Sequence, residues 1–433
     1  MASVLILLAI VLAVYLGNKF SVNTGLLALT FAYLIGAFVI GLSINDILAM
    51  FPTKLFMVIF GLSMFFNFAV VNGTLDKLAK LLLYYARNFT KFLPILVYLI
   101  SALVSGLGAG FFTTVAVMTT IAMVLAKEAG LNRLLLAISI SLGALSGANF
   151  MVSSHGVIFT SLLSNTALAD QSQFITQNIF WVSFIYPFFV LLFLIFMSSR
   201  QQAGQELTLV FSKPEAFNQK QRLNIILIGI FMGIILFVPM AAKLLPELEI
   251  LAFVNARLDI SFLAICFAIL GYLTHLADVP KEITDKIPWN TIWLVTGMSM
   301  LISVAVEAGT IELLASMIGQ MPDIIIPIAI TIIAGIMSMF SSTIGVVSPL
   351  MFPMVSQLAT TSEHSATLLI VAVIIGAQST AISPFSSGGS LTLGNSLLVG
   401  EEQDQLFKEL MFKATPLGML CSTLTIIVLM FFI

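Results

Sequence analysis

The 433-residue sequence is poor in charge, cysteine and histidine. Only 9% of its residues are charged and 60% are hydrophobic, whereas an ordinary soluble domain carries about 25% charged residues. This scarcity excludes a soluble globular fold. The net charge of −2 lacks the basic excess that binding to nucleic acid requires. The two cysteines, Cys266 and Cys421, lie in apolar runs without metal-binding or redox spacing, so we interpret them as buried small apolar residues.

What the sequence has in abundance is long apolar runs. About 20 apolar residues span a bilayer as a helix, and eight runs of that order stand beside two longer apolar blocks, 93–163 and 325–398. They predict an all-α polytopic protein of the plasma (inner) membrane, in contact with lipid. The first run lacks a basic region and a cleavage site, so we expect a retained helix and not a signal peptide. The eight runs are 2–17, 24–43, 54–72, 178–198, 222–242, 258–276, 287–308 and 413–433.

Two passages of the first half recur in the second half. GALSGANFMVSSHG (143–156) aligns without gaps on GAQSTAISPFSSGG (376–389), with seven of fourteen positions identical, at an offset of 233. GLSMFFNFAVVNGTLDKLA (61–79) aligns on GMSMLISVAVEAGTIELLA (297–315), with nine of nineteen positions identical, at an offset of 236. Collinear matches at a nearly constant offset predict an internal duplication.

The positions of lysine and arginine indicate how the two copies are oriented, because basic loops stay cytoplasmic. We consider about ten transmembrane helices, an outside N-terminus, and two re-entrant hairpins that each enter and leave on one face. Fifteen basic residues then fall inside, and only Lys54, Lys243 and Arg257 fall outside. The sequence therefore predicts two inverted repeats, with the N- and C-termini both outside.

This orientation gives a layout for the whole sequence. Each repeat has three scaffold helices, a hairpin, a broken helix and a final helix. An amphipathic stretch that begins with Gly-Thr follows the third helix of each repeat (74–86 and 310–319), as an arm along the membrane interface or as a plain helix extension. The layout is a first repeat 1–198 (scaffold helices 2–72, hairpin 93–127, broken helix 134–163, helix 178–198), a cytoplasmic linker 199–221, and a second repeat 222–433 (scaffold helices 222–308, hairpin 325–357, broken helix 366–398, helix 413–433).

The repeated small-residue passages interrupt apolar helices. Pro384 removes a backbone donor and disfavours helix at Ser383. Irregular backbone at membrane depth is tolerated only where it is buried or lines a cavity. We therefore expect each passage to join two half helices whose ends point partial charges at a polar site. The alternative for such small residues is close helix packing.

Ionisable residues are nearly absent from the predicted spans. Apart from His155, none falls clearly at the centre of a span, and Asp259 and Glu307 lie near predicted ends. This disfavours an acid-driven antiporter and favours a hard cation held by neutral oxygen ligands. His155 is either a carrier of a coupling proton, a ligand for a substrate carboxylate, or a hydrogen-bonded structural histidine.

At its hairpin tips the sequence resembles the ion transporter superfamily, in particular the divalent anion:sodium symporters and the MatC-like dicarboxylate carriers. Members carry Ser-Asn-Thr at each tip. Here Phe112-Thr113-Thr114 and Ser341-Ser342-Thr343 stand at those positions, so the asparagine is missing from both. The resemblance implies a scaffold with an elevator-type transport domain, a homodimer, and one substrate site between the tips and the helix breaks.

Sequence and resemblance together predict a secondary active transporter and not an enzyme. It would carry a small di- or tricarboxylate, of the malonate or C4 type, together with sodium. The coupling ion is sodium or a proton, and no organic cofactor is expected. The alternatives are proton coupling through His155, an inorganic ion antiporter or efflux protein of the same fold, and, remotely, an intramembrane serine hydrolase. The predicted sodium ligands are Ala109, Gly110, Ser146, Ser338, Ser341, Ser342, Ser379 and Thr380. The predicted substrate ligands are Thr113, Thr114, Asn149, Ser153, Ser154, His155, Thr343, Ser383, Ser386 and Ser387.

Overall fold

The structure is a computed structural model. It describes residues 2–20, 22–86, 92–129, 131–199, 215–245, 247–360, 362–396, 398 and 400–432. Within these ranges all regular secondary structure is helical, which confirms the predicted all-α class. Most of the predicted linker, 199–221, lies outside the described residues.

Ten α-helices are described before residue 200. A π-helical turn, Gly36–Ile40, extends the second of them, and another, Ser105–Ala109, joins the sixth to the seventh. The helices are α1 (Ala2–Phe20), α2 (Thr24–Ile35), α3 (Ile44–Ala49), α4 (Thr53–Val71), α5 (Thr74–Ala86), α6 (Leu93–Val104), α7 (Gly110–Ala129), α8 (Arg133–Ala148), α9 (Ser154–Leu163) and α10 (Ser172–Ser199).

Twelve further α-helices are described after residue 214. π-helical turns precede two of them, at Thr343–Val347 and Leu410–Ala414. The helices are α11 (Gln219–Leu244), α12 (Glu249–Asn255), α13 (Ile260–Leu273), α14 (Pro280–Asp285), α15 (Trp289–Glu307), α16 (Thr310–Gly319), α17 (Ile326–Met339), α18 (Ser348–Leu358), α19 (Ala366–Ser379), α20 (Ser387–Gly394), α21 (Glu401–Glu409) and α22 (Thr415–Leu429).

The two halves pack against each other reciprocally. Helix α4 packs on α13, and α15 packs on α2. The repeated glycine of the longer motif lies at both crossings: a Cβ on Gly61 would come within 2.5 Å of the Ser261 carbonyl oxygen, and one on Gly297 within 2.0 Å of the Gly25 carbonyl oxygen. Close approach of the backbones therefore explains why this glycine occurs twice. The orientation of the two copies across a membrane stays a prediction.

The chain turns back between α6 and α7. On α8, a Cβ at Gly143 would meet the Tyr98 carbonyl and one at Gly147 would meet the Ala102 carbonyl. Contacts that advance together along both helices mean that α6 and α8 run parallel. Because α7 begins beside Ser154 and packs along α8, it must run in the opposite direction to α6.

Two glycines make this reversal. Gly108 and Gly110 have φ values of 110° and 69°, a left-handed backbone conformation that glycine adopts without strain. The second half has the same arrangement of parallel helices, since a Cβ at Gly376 would meet the Thr331 carbonyl and Thr380 Oγ1 donates to the Gly335 carbonyl at 2.7 Å. Both tips thus point at helix breaks.

The two interrupted segments are each a pair of helices. Helix α8 ends at Ala148 and α9 begins at Ser154, while α19 ends at Ser379 and α20 begins at Ser387. A separate apolar cluster built mainly from α6, α7 and α8 holds the first hairpin against the first broken helix. Another cluster, built mainly from α4, α11 and α13, joins helices of the two predicted scaffold parts.

Few helices are long enough to cross a membrane alone. By length and apolar composition, four stretches of the described residues qualify, or up to six if two bent pairs are each counted as one span. One of the four, Leu93–Met123, contains the reversal at Gly108 and is better treated as a hairpin. Seven shorter apolar helices accompany them, among them α8, α9 and α19 of the two interrupted segments. The protein is an integral membrane protein, and the count of ten crossings stays a prediction.

Two features of the sequence were misjudged. Cys266 is exposed on α13 and Cys421 is partly exposed, so the prediction of buried cysteines is wrong. An apolar helix in a membrane protein turns one face to lipid, so apolar neighbours in sequence do not imply burial. Helix α21 was not anticipated either, because its polar sequence, EEQDQLFKE, contains few apolar residues.

Candidate functional site

A cavity of about 120 Å³ lies between the first hairpin tip and α4. We call it the tip cavity. Its walls are one face of α4, the reversal between α6 and α7, the first turn of α9, and the chain that leads into α15. Pockets for drug-sized ligands measure ~300–1,000 Å³, so this cavity suits a smaller molecule. Its polar side chains are Ser63, Asn67, Thr113, Ser154, His155, Lys286 and Thr291.

The first turn of α9 faces this cavity without a side-chain cap. Ser153 occupies the N-cap position, but its hydroxyl donates to the Ser105 carbonyl at 3.1 Å and accepts nothing from the helix. At the second break, Ser386 does cap its helix, since its Oγ accepts from the Gly389 amide at 3.2 Å. An uncapped helix N-terminus presents free N–H groups and the positive end of the helix dipole, which favour an anion.

Two polar atoms at the start of α9 are buried without a partner. Neither Ser154 Oγ nor His155 Nδ1 is hydrogen-bonded to any residue that the structure describes. His155 is 3% exposed, and its ring lies 5.9 Å from that of Phe111, between centroids. An unpaired buried polar group costs about 1–3 kcal/mol. Both residues line the tip cavity, so a ligand there is placed to supply the missing partners.

The described side chains that line the tip cavity carry one positive charge and no negative charge. Lys286 is exposed and lines the cavity, and no aspartate or glutamate does so among the described residues. Lys286 also forms no ion pair with any described carboxylate. Among side chains that the structure describes, His155 is the only buried histidine, lysine, arginine or acid. The cavity therefore suits an anionic ligand.

The second hairpin tip forms a smaller polar cavity of about 20 Å³, which we call the hydroxyl cavity. Ser338 Oγ and Thr343 Oγ1 are hydrogen-bonded at 3.0 Å, and Ser342 Oγ accepts from the Gly345 amide at 3.2 Å. His155 lines both this cavity and the tip cavity, so the two adjoin. No cluster of three histidine, cysteine or acidic residues occurs in the described parts of the chain. Any cation in the hydroxyl cavity would rely on neutral oxygen atoms.

The structure divides the predicted sodium ligands into three groups. Ala109 and Gly110 line the tip cavity, and Ser338, Ser341 and Ser342 line the hydroxyl cavity. The others line neither, and their hydroxyl groups bond to backbone carbonyls: Ser146 to Leu142 and Ser183, Ser379 to Gly376, and Thr380 to Gly335.

The predicted substrate ligands are also only partly brought together. Thr113, Ser154 and His155 line the tip cavity, and Thr343, Ser386 and Ser387 line the hydroxyl cavity with His155. Those that line neither cavity are Thr114, Asn149, Ser153 and Ser383.

Sequence reasoning missed the contribution of the scaffold part. Ser63 and Asn67 lie on α4, and Lys286 lies just before Pro288 at the start of α15. Their sequence context gave one usable signal: a lysine two residues before the proline that begins an apolar run. Short-range pattern does not show that the chain around Lys286 lies beside α4, because the bond between Asn67 and the Ile283 carbonyl joins residues more than 200 positions apart.

Comparisons with known proteins add to this geometry. Residues 1–148 match the family model described as the N-terminus of the dicarboxylate carrier protein MatC. The fold is similar to the crystal structure of the YdaH transporter of Alcanivorax borkumensis, with a TM-score of 0.57 and 14% sequence identity, over 92% of this chain and 88% of that chain. At this identity the likeness shows the fold alone. No curated protein sequence matches the chain.

The matched residues contain α4 and the first hairpin, which form two walls of the tip cavity. Family match and fold together support a membrane transporter. Over residues 1–148, about a third of its length, the chain is thus similar to the N-terminal part of the MatC dicarboxylate carriers, in agreement with the resemblance that the first hairpin tip predicted.

Proposed function

We propose that the protein is a secondary active transporter that carries a small di- or tricarboxylate, of the malonate or C4 type, by sodium-coupled symport. The observation that carries this proposal is the tip cavity. It combines the uncapped N-terminus of α9, the unpaired Ser154 and His155, and the cationic Lys286. Each of these groups interacts favourably with a carboxylate. The MatC match over residues 1–148 points to the same substrate class.

Sodium is the proposed coupling ion, and the hydroxyl cavity is its proposed site. Hydroxyl and carbonyl oxygen atoms are the ligands that hard cations prefer, and Ser338, Ser342 and Thr343 supply them at the second tip. The cavity adjoins the tip cavity through His155, so a cation there would lie near the bound anion and offset part of its charge. The second candidate is proton coupling through His155, which its buried position beside both cavities supports.

An elevator movement and a homodimer follow from the family resemblance and are part of the proposal, as is the outside location of both termini. The apolar cluster of α6, α7 and α8 is separate from the α4, α11 and α13 cluster, which supports movement of the first hairpin as a unit. Helices α17, α18 and α19 instead share one apolar cluster with α1, α2 and α15. The tip cavity lies between the first two of these clusters, where such movement would carry it from one side of the membrane to the other.

Uptake into proteoliposomes tests the proposal. The purified protein is expected to accumulate radiolabelled malonate or succinate when sodium is high outside, and to fail to do so when potassium replaces sodium. Ser154→Ala should weaken this uptake, because it removes an unpaired hydroxyl from the cavity. Ser164→Ala is the matched control at the C-cap of the same helix, since the Ser164 hydroxyl donates to the Ser161 carbonyl and does not line the cavity.

Two results would contradict the proposal. Uptake that is indifferent to sodium but follows a proton gradient would move the coupling ion to the proton. Ion exchange by the protein without any organic anion would favour an inorganic ion antiporter of the same fold. The described part of the chain contains no buried carboxylate, a group that such an antiporter normally uses.

A further inference from the structure

Lys286 lines the tip cavity and comes from a part of the chain far from the hairpin in sequence. It is the C-cap residue of α14 and stands two residues before Pro288. The uncapped first turn of α9 and Ser154 belong to the hairpin side, whereas Lys286 belongs to the scaffold side, with α4 and α15. The cavity lining therefore combines neutral anion-binding groups of the hairpin side with one cationic group of the scaffold side.

A contact between the two halves holds the backbone of α14, three residues before Lys286. Asn67 Nδ2 on α4 donates to the carbonyl of Ile283 at 2.9 Å, three residues before Lys286. Ile283 is itself fully buried. Because Asn67 also lines the cavity, the bond anchors the end of α14 at the cavity wall and keeps the lysine at its edge.

A ligand with one carboxylate and a ligand with two carboxylates need different binding partners in such a cavity. The helix N-terminus and neutral hydroxyl groups are sufficient partners for one carboxylate. A second carboxylate at the other end of the molecule needs further partners, and a hydrogen-bonded opposite charge is the strongest of these. Lys286 is the only lysine or arginine among the described lining residues, and it has no carboxylate of the protein to neutralise it.

We propose that Lys286 binds the second carboxylate of the substrate and so makes the tip cavity select dicarboxylates over monocarboxylates. This inference rests on the proposed function and names the residue that sets its substrate class. Lys286 is a specificity-determining residue in this scheme, and Asn67 is a positioning residue that acts through the end of α14.

The test compares succinate with succinamate, which has the same length but carries a neutral amide in place of one carboxylate. Inhibition of labelled succinate uptake by each unlabelled compound is measured in proteoliposomes for the unmodified protein and for Lys286→Gln, Lys286→Arg and Lys281→Gln. Lys281 is the matched control, because it lies on the same α14, is exposed, and does not line the cavity.

Lys286→Gln is expected to raise the succinate concentration for half-maximal uptake about tenfold, the loss of one hydrogen bond to a charged group. Inhibition by succinamate should change less than twofold, so the preference for the dicarboxylate largely disappears. Lys286→Arg should retain that preference, and Lys281→Gln should behave like the unmodified protein.

Two outcomes overturn the inference while the proposed function stands. The first is an equal loss for succinate and succinamate in Lys286→Gln, which would mean that the lysine acts on the cavity as a whole. The second is an unchanged succinate response in the same variant. If the unmodified protein takes up no carboxylate at all, the proposed function fails and the inference fails with it.

Discussion

Asn149 and Gln378 form a reciprocal pair of amide hydrogen bonds in the centre of the molecule. Asn149 Nδ2 donates to Gln378 Oε1 at 3.0 Å, and Gln378 Nε2 donates to Asn149 Oδ1 at 2.9 Å. Asn149 is the C-cap residue of α8, and Gln378 lies in the last turn of α19. Asn149 Nδ2 also donates to Ser183 Oγ at 3.0 Å. The pair therefore ties together the ends of the two broken helices.

Breaking this pair should destabilise the protein. Asn149→Ala leaves both polar groups of the buried Gln378 amide without partners, and we expect a loss of about 1–3 kcal/mol in unfolding free energy. Thermal unfolding of the purified protein in detergent measures it. In the double variant Asn149→Leu/Gln378→Leu no buried amide is left unpaired, so most of the loss should be recovered. A double variant less stable than either single change would show that the amides stabilise the helix ends in another way.

Much of the helix arrangement was accessible from sequence. Apolar runs, Gly-Thr motifs and the small-residue passages located α5 at Thr74–Ala86 and α16 at Thr310–Gly319. Breaks could be predicted because Pro384 and clustered serines disfavour helix in a local, short-range way. The exposed Cys266 could not be foreseen, since the orientation of a uniformly apolar helix depends on which neighbours pack against it.

The candidate site was accessible only in part. Ser154 and His155 stand at a break that the sequence marks, so they were found. Lys286 was missed because its role depends on a contact with α4, on which Asn67 lies more than 200 residues away in sequence. The bond between Asn149 and Gln378 could not be foreseen, since the type of a residue at a break does not reveal which protein group it contacts.

Close helix packing at the first hairpin should not tolerate a side chain at Gly143. A Cβ there would lie 2.3 Å from the Tyr98 carbonyl oxygen, so Gly143→Ala must push α6 and α8 apart, at a cost of about 1–3 kcal/mol. Gly229→Ala on α11 is the control, because no atom lies within 4 Å of its added Cβ. Because alanine has a better helix propensity than glycine, this change should keep the unfolding free energy the same or raise it by up to ~1 kcal/mol. Thermal unfolding of both variants distinguishes them, and equal behaviour would contradict the close crossing.

Phe112 should limit the size of the ligand. It lines the tip cavity, the hydroxyl cavity and a third, more open cavity of about 420 Å³ that Thr291 and Ser387 also line. Phe112→Ala is therefore expected to connect these spaces and to admit larger anions. Inhibition of succinate uptake by citrate should become several-fold stronger, while Phe112→Leu, which keeps most of the side-chain volume, should change it little. Unaltered inhibition by citrate in Phe112→Ala would place the size limit elsewhere.

Ser342 should affect sodium dependence more than folding. Its Oγ accepts from the Gly345 amide and keeps a lone pair for a cation, so Ser342→Ala should raise the sodium concentration for half-maximal uptake several-fold. Loss of the cap alone costs about 1 kcal/mol. Ser348→Ala is the control: that buried hydroxyl donates to the Thr343 carbonyl at 2.8 Å and does not line the hydroxyl cavity. A similar sodium response in both variants would remove Ser342 from the proposed site.

His155 should contribute to substrate binding and not to coupling if sodium is the driving ion. Its Nδ1 is buried without a partner beside both cavities. His155→Gln keeps a hydrogen-bonding side chain that does not titrate. We therefore expect a higher succinate concentration for half-maximal uptake and an unchanged dependence on sodium. His155→Ala should weaken binding further because it removes the polar group. If His155 carries a coupling proton, His155→Gln will instead abolish uptake driven by a proton gradient. Uptake measured with a sodium gradient alone and with a proton gradient alone separates the two cases: a binding role leaves the sodium-driven uptake in His155→Gln, whereas a coupling role removes the proton-driven uptake.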